Sequence, residues 1–127
     1  MESARLLKVL GFGASFWNIW RGEHPEVPIL FDGAKLDGMI LTGVDFSQAS
    51  LRGASMHATN LMNADLRNAD LSGANLVEAD LIAANLEGAR LDGANLRQAD
   101  FRGACLTNAS FSPADLEGAL NLPSEVQ

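Results

Sequence analysis

From Phe31 to Leu116, every fifth residue is a large apolar one, a series of 18 positions without an exception. The stretch 64–86, ADLRNADLSGANLVEADLIAANL, shows the pattern at its cleanest. Two residues before each of these centres stands Ala in 14 of the 18 cases, the others being Ile29, Met39, Val44 and Thr59. A period of five belongs to neither regular structure. In an α-helix, five residues advance the chain by about 500°, so successive centres would be smeared around the axis. In a strand, side chains alternate between faces, and an odd period sends every second centre to the wrong side. A chain that turns one corner per repeat satisfies the pattern. The centre (position 0) and the small residue at −2 then both point inward from a short extended segment, and the residue at −1 points out.

Positions +1 and +2 must make the corner. Position +2 is Gly at 33, 38, 43, 53, 73, 88, 93, 103 and 118, and Asn at 63, 68 and 108. Both tolerate the positive φ that a type II turn requires at its second central residue. Pro113 stands in the same slot and cannot take positive φ, so an irregular corner is expected there. A chain that turns the same way every five residues coils on itself, with successive coils about 4.8 Å apart. A narrow core already holding Leu leaves room for only a small second residue, which accounts for the alanines.

Units such as ADLRN, ADLSG, ANLEG and ANLRQ make residues 29–118 resemble the pentapeptide-repeat family. The resemblance implies an all-β solenoid, a right-handed quadrilateral β-helix with four repeats in each coil of twenty residues. Eighteen repeats then make 18/4 = 4.5 coils, a rod about 20 Å tall. The segment WNIWRGEHPEV (17–27) is similar to the lead-in of many cyanobacterial members.

An open coil end exposes core and unpaired backbone, which solenoids manage with caps. Residues 3–21 read as one amphipathic helix, with Ala4, Lys8, Gly11, Ser15, Asn18 and Gly22 forming a small or polar stripe away from Leu6, Leu10, Phe16, Trp17 and Trp20. The organisation expected is a capping helix and connection over 1–28, the β-helix over 29–118 and a short tail over 119–127. The helix serves as a lid on the first coil; its Trp and Phe content beside Arg5 and Lys8 also suits a membrane surface. At the other end the repeat fails at Asn121, where a core residue is due. Leu120 and Leu122 are left either to cover the last coil or to meet a second copy in a tail-to-tail homodimer.

Net charge is −7, and residues 1–30 sum to zero, with Arg5, Lys8 and Arg21 against Glu2, Glu23 and Glu26. The acidic body argues against direct nucleic-acid binding, which needs clustered Lys and Arg. A single cysteine, Cys105, excludes an internal disulfide and a cysteine-based zinc site. The uncharged run 9–20 is too short to span a bilayer as a helix, and no small-residue cleavage site follows it, so a soluble cytoplasmic protein is expected. Gly11 and Gly13 lack the third glycine and the preceding strand of a dinucleotide fingerprint.

Chemistry is sought first among the carboxylates. Position −1 is Asp at 45, 65, 70, 80, 100 and 115 and Asn at 60, 75, 85 and 95. Twenty residues per coil stack Asp45 on Asp65 and Asp80 on Asp100, a spacing that could serve acid–base work or a cation. Side chains that recur with the repeat are better explained by bonds to nearby backbone amides. His24, His57 and Cys105 have no ligand spacing to one another. No catalytic residue, cofactor or metal site is expected. Position +1, ordinarily polar, is apolar at Met62, Val77 and Ile82, which mark a candidate contact surface for a protein partner. The leading expectation is a non-enzymatic structural or interaction module. The resemblance carries a second class of function, a DNA-mimicking rod that protects or inhibits DNA gyrase, against which Arg52, Arg67, Arg90, Arg97 and Arg102 dilute the negative body. A membrane-associated scaffold held by the N-terminal helix is the third.

Overall fold

The computed structural model describes residues 2–126. From Leu30 onward the chain winds as a four-sided coil in which residue i pairs in parallel with residue i+20, from Leu30 with Ser50 to Asp100 with Leu120. The sides are called A, B, C and D, after the centres Phe31, Leu36, Leu41 and Phe46 of the first coil. The repeats of the central coils use the same bonds. The N–H of Leu61 donates to the Asp80 carbonyl at 2.8 Å, that of Asn63 to Ile82 at 3.0 Å, and Asp80 N–H returns a bond to Thr59 at 2.9 Å. A bond from Ala64 N–H back to the Leu61 carbonyl at 3.0 Å closes the corner. The ladder continues two residues past the expected end of the rod, through Leu120.

The centres from Phe31 to Leu106 are all buried, and the alanines at −2 fill the space between them. Thr59 is the buried polar exception; its hydroxyl donates to the Met56 carbonyl at 2.8 Å and so carries its own partner. Three of the four non-alanine residues at −2, Ile29, Met39 and Val44, lie in the first coil, beneath the cap.

Every +2 residue from Gly33 to Asn108 has positive φ, including Gln48, Ala58, Glu78, Ala83 and Gln98, whose types do not favour it. The coil imposes the turn whether or not the local residue prefers it. At Pro113 the regular corner gives way to a 3-10 helix over Pro113–Leu116. Phe111, expected inside with the other centres, is only half-buried beside this irregular corner.

The single helix expected over 3–21 is two helices, α1 (Ser3–Leu10) and α2 (Ala14–Glu23). Gly13 separates them with φ +105°, a conformation that L-residues rarely adopt. The break lets Leu6 and Leu10 of α1 and Trp17 of α2 all bury against the first coil. Phe16, grouped with those residues by helical spacing, is 49 % exposed because the second helix starts afresh with its own facing. At the far end, Asn121 turns the chain with φ +56°, and its Nδ2 donates to Asp100 Oδ1 at 2.9 Å. The tail then brings Leu122 and Val126 half-buried against the core.

Candidate interaction surfaces

The rod is topped by three side chains of α2 that satisfy the raw edge of side D. Trp17 Nε1 donates to the Asp45 carbonyl at 2.8 Å. Arg21 donates to that same carbonyl at 2.9 Å, to Asp45 Oδ1 at 3.1 Å and to the Ser47 carbonyl. Asn18 accepts from Asp45 N–H at 2.7 Å and donates to the Gly43 carbonyl at 2.9 Å. The Trp17 ring lies on the aromatic floor of the first coil, 5.5 Å from Phe31 and 5.9 Å from Phe46. The lid is thus bonded to the edge as well as laid over the core.

The recurring Asp and Asn residues at −1 are occupied with the backbone. Oδ1 of Asn60, Asp70, Asn75, Asp80, Asn85 and Asp100 accepts from the N–H two residues on, each at 3.0 Å. The stacked pairs Asp45–Asp65 and Asp80–Asp100 do form as ladder neighbours. Their carboxylates serve the turns. Arg67 holds the Asp65 carboxyl below its ordinary pKa through a side-chain bond, with burial opposing and the Arg67 N–H assisting. The Ser55 hydroxyl and the His57 N–H do the same for Asp37.

His57 is exposed, 3.8 Å from Glu78, and His24 stacks on Trp20 with Nδ1 2.8 Å from the Trp20 carbonyl. Cys105 is half-buried, its sulfur 3.4 Å from the Thr107 hydroxyl. Among the described residues, no group of three His, Cys, Asp or Glu could hold a metal, and no helix is long and apolar enough to cross a membrane.

Each side carries one ion pair of its own: Arg52–Asp70 on A at 3.0 Å, Arg97–Glu117 on B at 3.2 Å, Arg102–Asp100 on C at 3.9 Å and Arg67–Asp65 on D at 2.7 Å. Acidic columns are therefore interrupted by paired arginines all around the rod. Side C is the least charged. Its outward residues in the first two coils are Ile40, Thr42, Gly43, Asn60, Met62 and Asn63, and the next coil adds Asp80 and Ile82.

Of the residues singled out in the sequence, Met62 and Ile82 share one column of side C, and Val77 stands on side B. All three are half-buried in their corners. Leu120 is exposed at the lower end of side C, while Leu122 packs on the core. The more open apolar residues lie at the other end: Phe12 is 72 % exposed, Ile19 66 % and Ile40 75 %. Phe16 and Ile19 share the outward face of α2, which is legible only once the helix break at Gly13 is known, and Phe12 lies before that break. The Asn18 and Arg21 caps have no sequence signal, because their partners lie more than 20 residues away.

The pentapeptide-repeat model matches residues 30–68, 59–98 and 79–118 in eight copies. Among solved structures, the chain is similar to alr5209, a pentapeptide repeat protein from Nostoc, at 36 % identity and a TM-score of 0.58, covering 75 % of this chain and 74 % of that one. It is also similar to HetL from Nostoc, described as involved in regulating heterocyst differentiation, at 46 % identity over 60 % of this chain and 38 % of HetL, with a TM-score of 0.37. A thylakoid-lumen pentapeptide repeat protein of Arabidopsis matches at 30 % identity, covering 76 % of this chain and 67 % of its own, with a TM-score of 0.47. No curated protein is significantly similar to the chain. The repeat ladder and these matches together show that the chain belongs to the pentapeptide-repeat family, whose members form right-handed quadrilateral β-helices.

Proposed function

We propose that the protein is a non-catalytic interaction module whose rigid rod presents side C to a protein partner. One observation carries this reading: the upper half of side C brings Ile40, Met62 and Ile82 onto a flat face without a charge before Asp80, while the other sides carry charge along their length. Flat apolar strips rimmed by polar residues suit protein contacts. Val77, around the corner on side B, extends the contact if the partner wraps the edge. The test is capture from an extract of the source organism with Met62→Glu and Ile82→Glu as controls. Loss of the captured protein with unchanged circular dichroism supports the reading, and unchanged capture removes it.

A second reading is favoured by Phe12, Phe16 and Ile19, which face outward from the cap, the rings of Phe12 and Phe16 4.9 Å apart. Such a stripe can lie in a membrane interface, as amphipathic helices do. Flotation with phosphatidylcholine–phosphatidylglycerol vesicles distinguishes it: binding that disappears in Phe12→Ser/Ile19→Ser supports attachment. A protein that stays at the bottom of the gradient excludes it. The tail-to-tail dimer rests on Leu120 alone as an exposed contact, since Leu122 is turned toward the core, and sedimentation at high concentration tests it.

A further inference from the structure

The cap completes one side of the first coil; among the described residues the edge groups of the other three, Leu30 and Asp32 of side A included, take no bond, and the longest continuous stretch runs along sides B and C. In every later coil, the N–H at −1 donates upward to the coil above, and the carbonyls at −1 and +1 accept from it. In the first coil those groups have no coil above them. Side D is satisfied by Trp17, Asn18 and Arg21. On sides B and C, among the described residues, nothing bonds the N–H groups of Lys35 and Ile40 or the carbonyls of Lys35, Asp37, Ile40 and Thr42. Lys35 and Ile40 are exposed, Ile40 by 75 %.

We propose that this open edge takes an extended segment of another protein, added as a short strand above Lys35–Thr42. The occupant follows from the chemistry of the edge. Alternating N–H and carbonyl groups already held in ladder register are matched by another extended backbone; a lipid or a helix, whose own backbone is internally bonded, leaves them unmatched. Asn18 shows the match on side D, where its side-chain oxygen accepts the Asp45 N–H as the carbonyl of an earlier coil would. Exposed Ile40 offers an apolar contact beside the new strand. Asp37, and Asp32 on the adjoining side A, outweigh Lys35 on a rod with 13 acidic and 6 basic side chains from residue 31 onward, and so favour a segment carrying Lys or Arg. The corner at Gly38 limits the straight run on each side, which selects a short flexible segment over the flat edge of another sheet. This site shares Ile40 with the lateral strip of side C but does not use Met62 or Ile82.

The probe is a set of acetylated, amidated ten-residue peptides alternating valine with threonine and lysine, titrated into the full-length nitrogen-15-labelled protein. The expected result is amide shifts at Lys35 and Ile40, with hydrogen exchange at both slowed at least about tenfold and Asp45, already capped, unchanged. Ile40→Pro removes a donor that has no partner within the fold; it should weaken peptide binding at least about tenfold while leaving the melting temperature near that of the parent. Asn60→Pro, which deletes a ladder bond to Met39, should lower the melting temperature instead. Peptides that leave Lys35 and Ile40 unperturbed at millimolar concentration overturn the proposal, as does protection that appears without peptide as protein concentration rises, which assigns the edge to a second copy. Met62→Glu/Ile82→Glu should bind the peptides as the parent does, so failure at the strip and failure at the edge are told apart.

Discussion

The side-chain oxygen of Asn18 stands where the carbonyl of an earlier coil would stand, accepting the Asp45 N–H at 2.7 Å, while its Nδ2 donates to the Gly43 carbonyl at 2.9 Å. A β-helix end needs such substitutes because each edge group left dry costs more than a made bond returns. Asn18→Ala should destabilise the fold by about 1–3 kcal/mol. Asn18→Leu, similar in size but without the amide, should cost about as much. Urea unfolding checks this, and a Leu variant as stable as the parent would show that only packing matters there.

Trp17 and Phe16 are neighbours in sequence and opposites in energetics. Trp17 is fully buried on Phe31 and Phe46, so Trp17→Ala should cost about 3–5 kcal/mol. Phe16→Ser should change stability by no more than about 0.5 kcal/mol, as exposed substitutions do. Equal losses at both positions, measured by thermal or urea unfolding, would contradict the placement of α2.

Corner residues offer stability in both directions. Ala83 holds φ +59° and Ala58 φ +57°, a conformation that costs an L-residue about 1–2 kcal/mol. Part of that is offset by the freedom glycine has when unfolded. Ala83→Gly should therefore stabilise by about 0.5–1 kcal/mol. Gly53, at φ +64° with open space around its Cα, should lose about 1 kcal/mol on replacement by Ala through backbone strain alone.

Asp37, Asp65, Asp70, Asp100 and Asp115 all have pKa values lowered by folding. For Asp70, burial opposes the shift and is outweighed by Ser72 and Arg52. Depressed carboxylates stabilise the fold fully at neutral pH, and this contribution is lost as pH falls below the ordinary aspartate value of about 4 and through the lower folded values. The melting temperature should be flat near neutrality and drop between about pH 5 and pH 2. Asp65→Asn keeps the turn acceptor but loses the Arg67 ion pair; it should be less stable at pH 7 and less sensitive to acid.

The DNA-mimic reading makes its own prediction. Because paired arginines break the negative surface on all four sides, purified protein should leave gyrase supercoiling unchanged at micromolar concentration. Inhibition or protection in that assay would reverse this view.

The repeat was legible because most coils see the same environment: an apolar centre recurs 18 times, with Ala at −2 in 14 repeats and Gly or Asn at +2 in 12. Local residue types therefore determined the inward-facing columns, the corners that carry Gly or Asn and the irregularity at Pro113, while at Gln48, Ala58, Glu78, Ala83 and Gln98 the coil imposed the turn. They could not determine the ends, where no neighbouring repeat supplies the missing bonds. Whether residues 3–21 form one helix or two, which of Phe16 and Trp17 is buried, and which edge groups Asn18 and Arg21 reach depend on contacts between residues 14 to 28 positions apart. Those contacts are set by the shape of the first coil, so tertiary structure alone decided that side D is closed while the edges of the other sides are left without bonds.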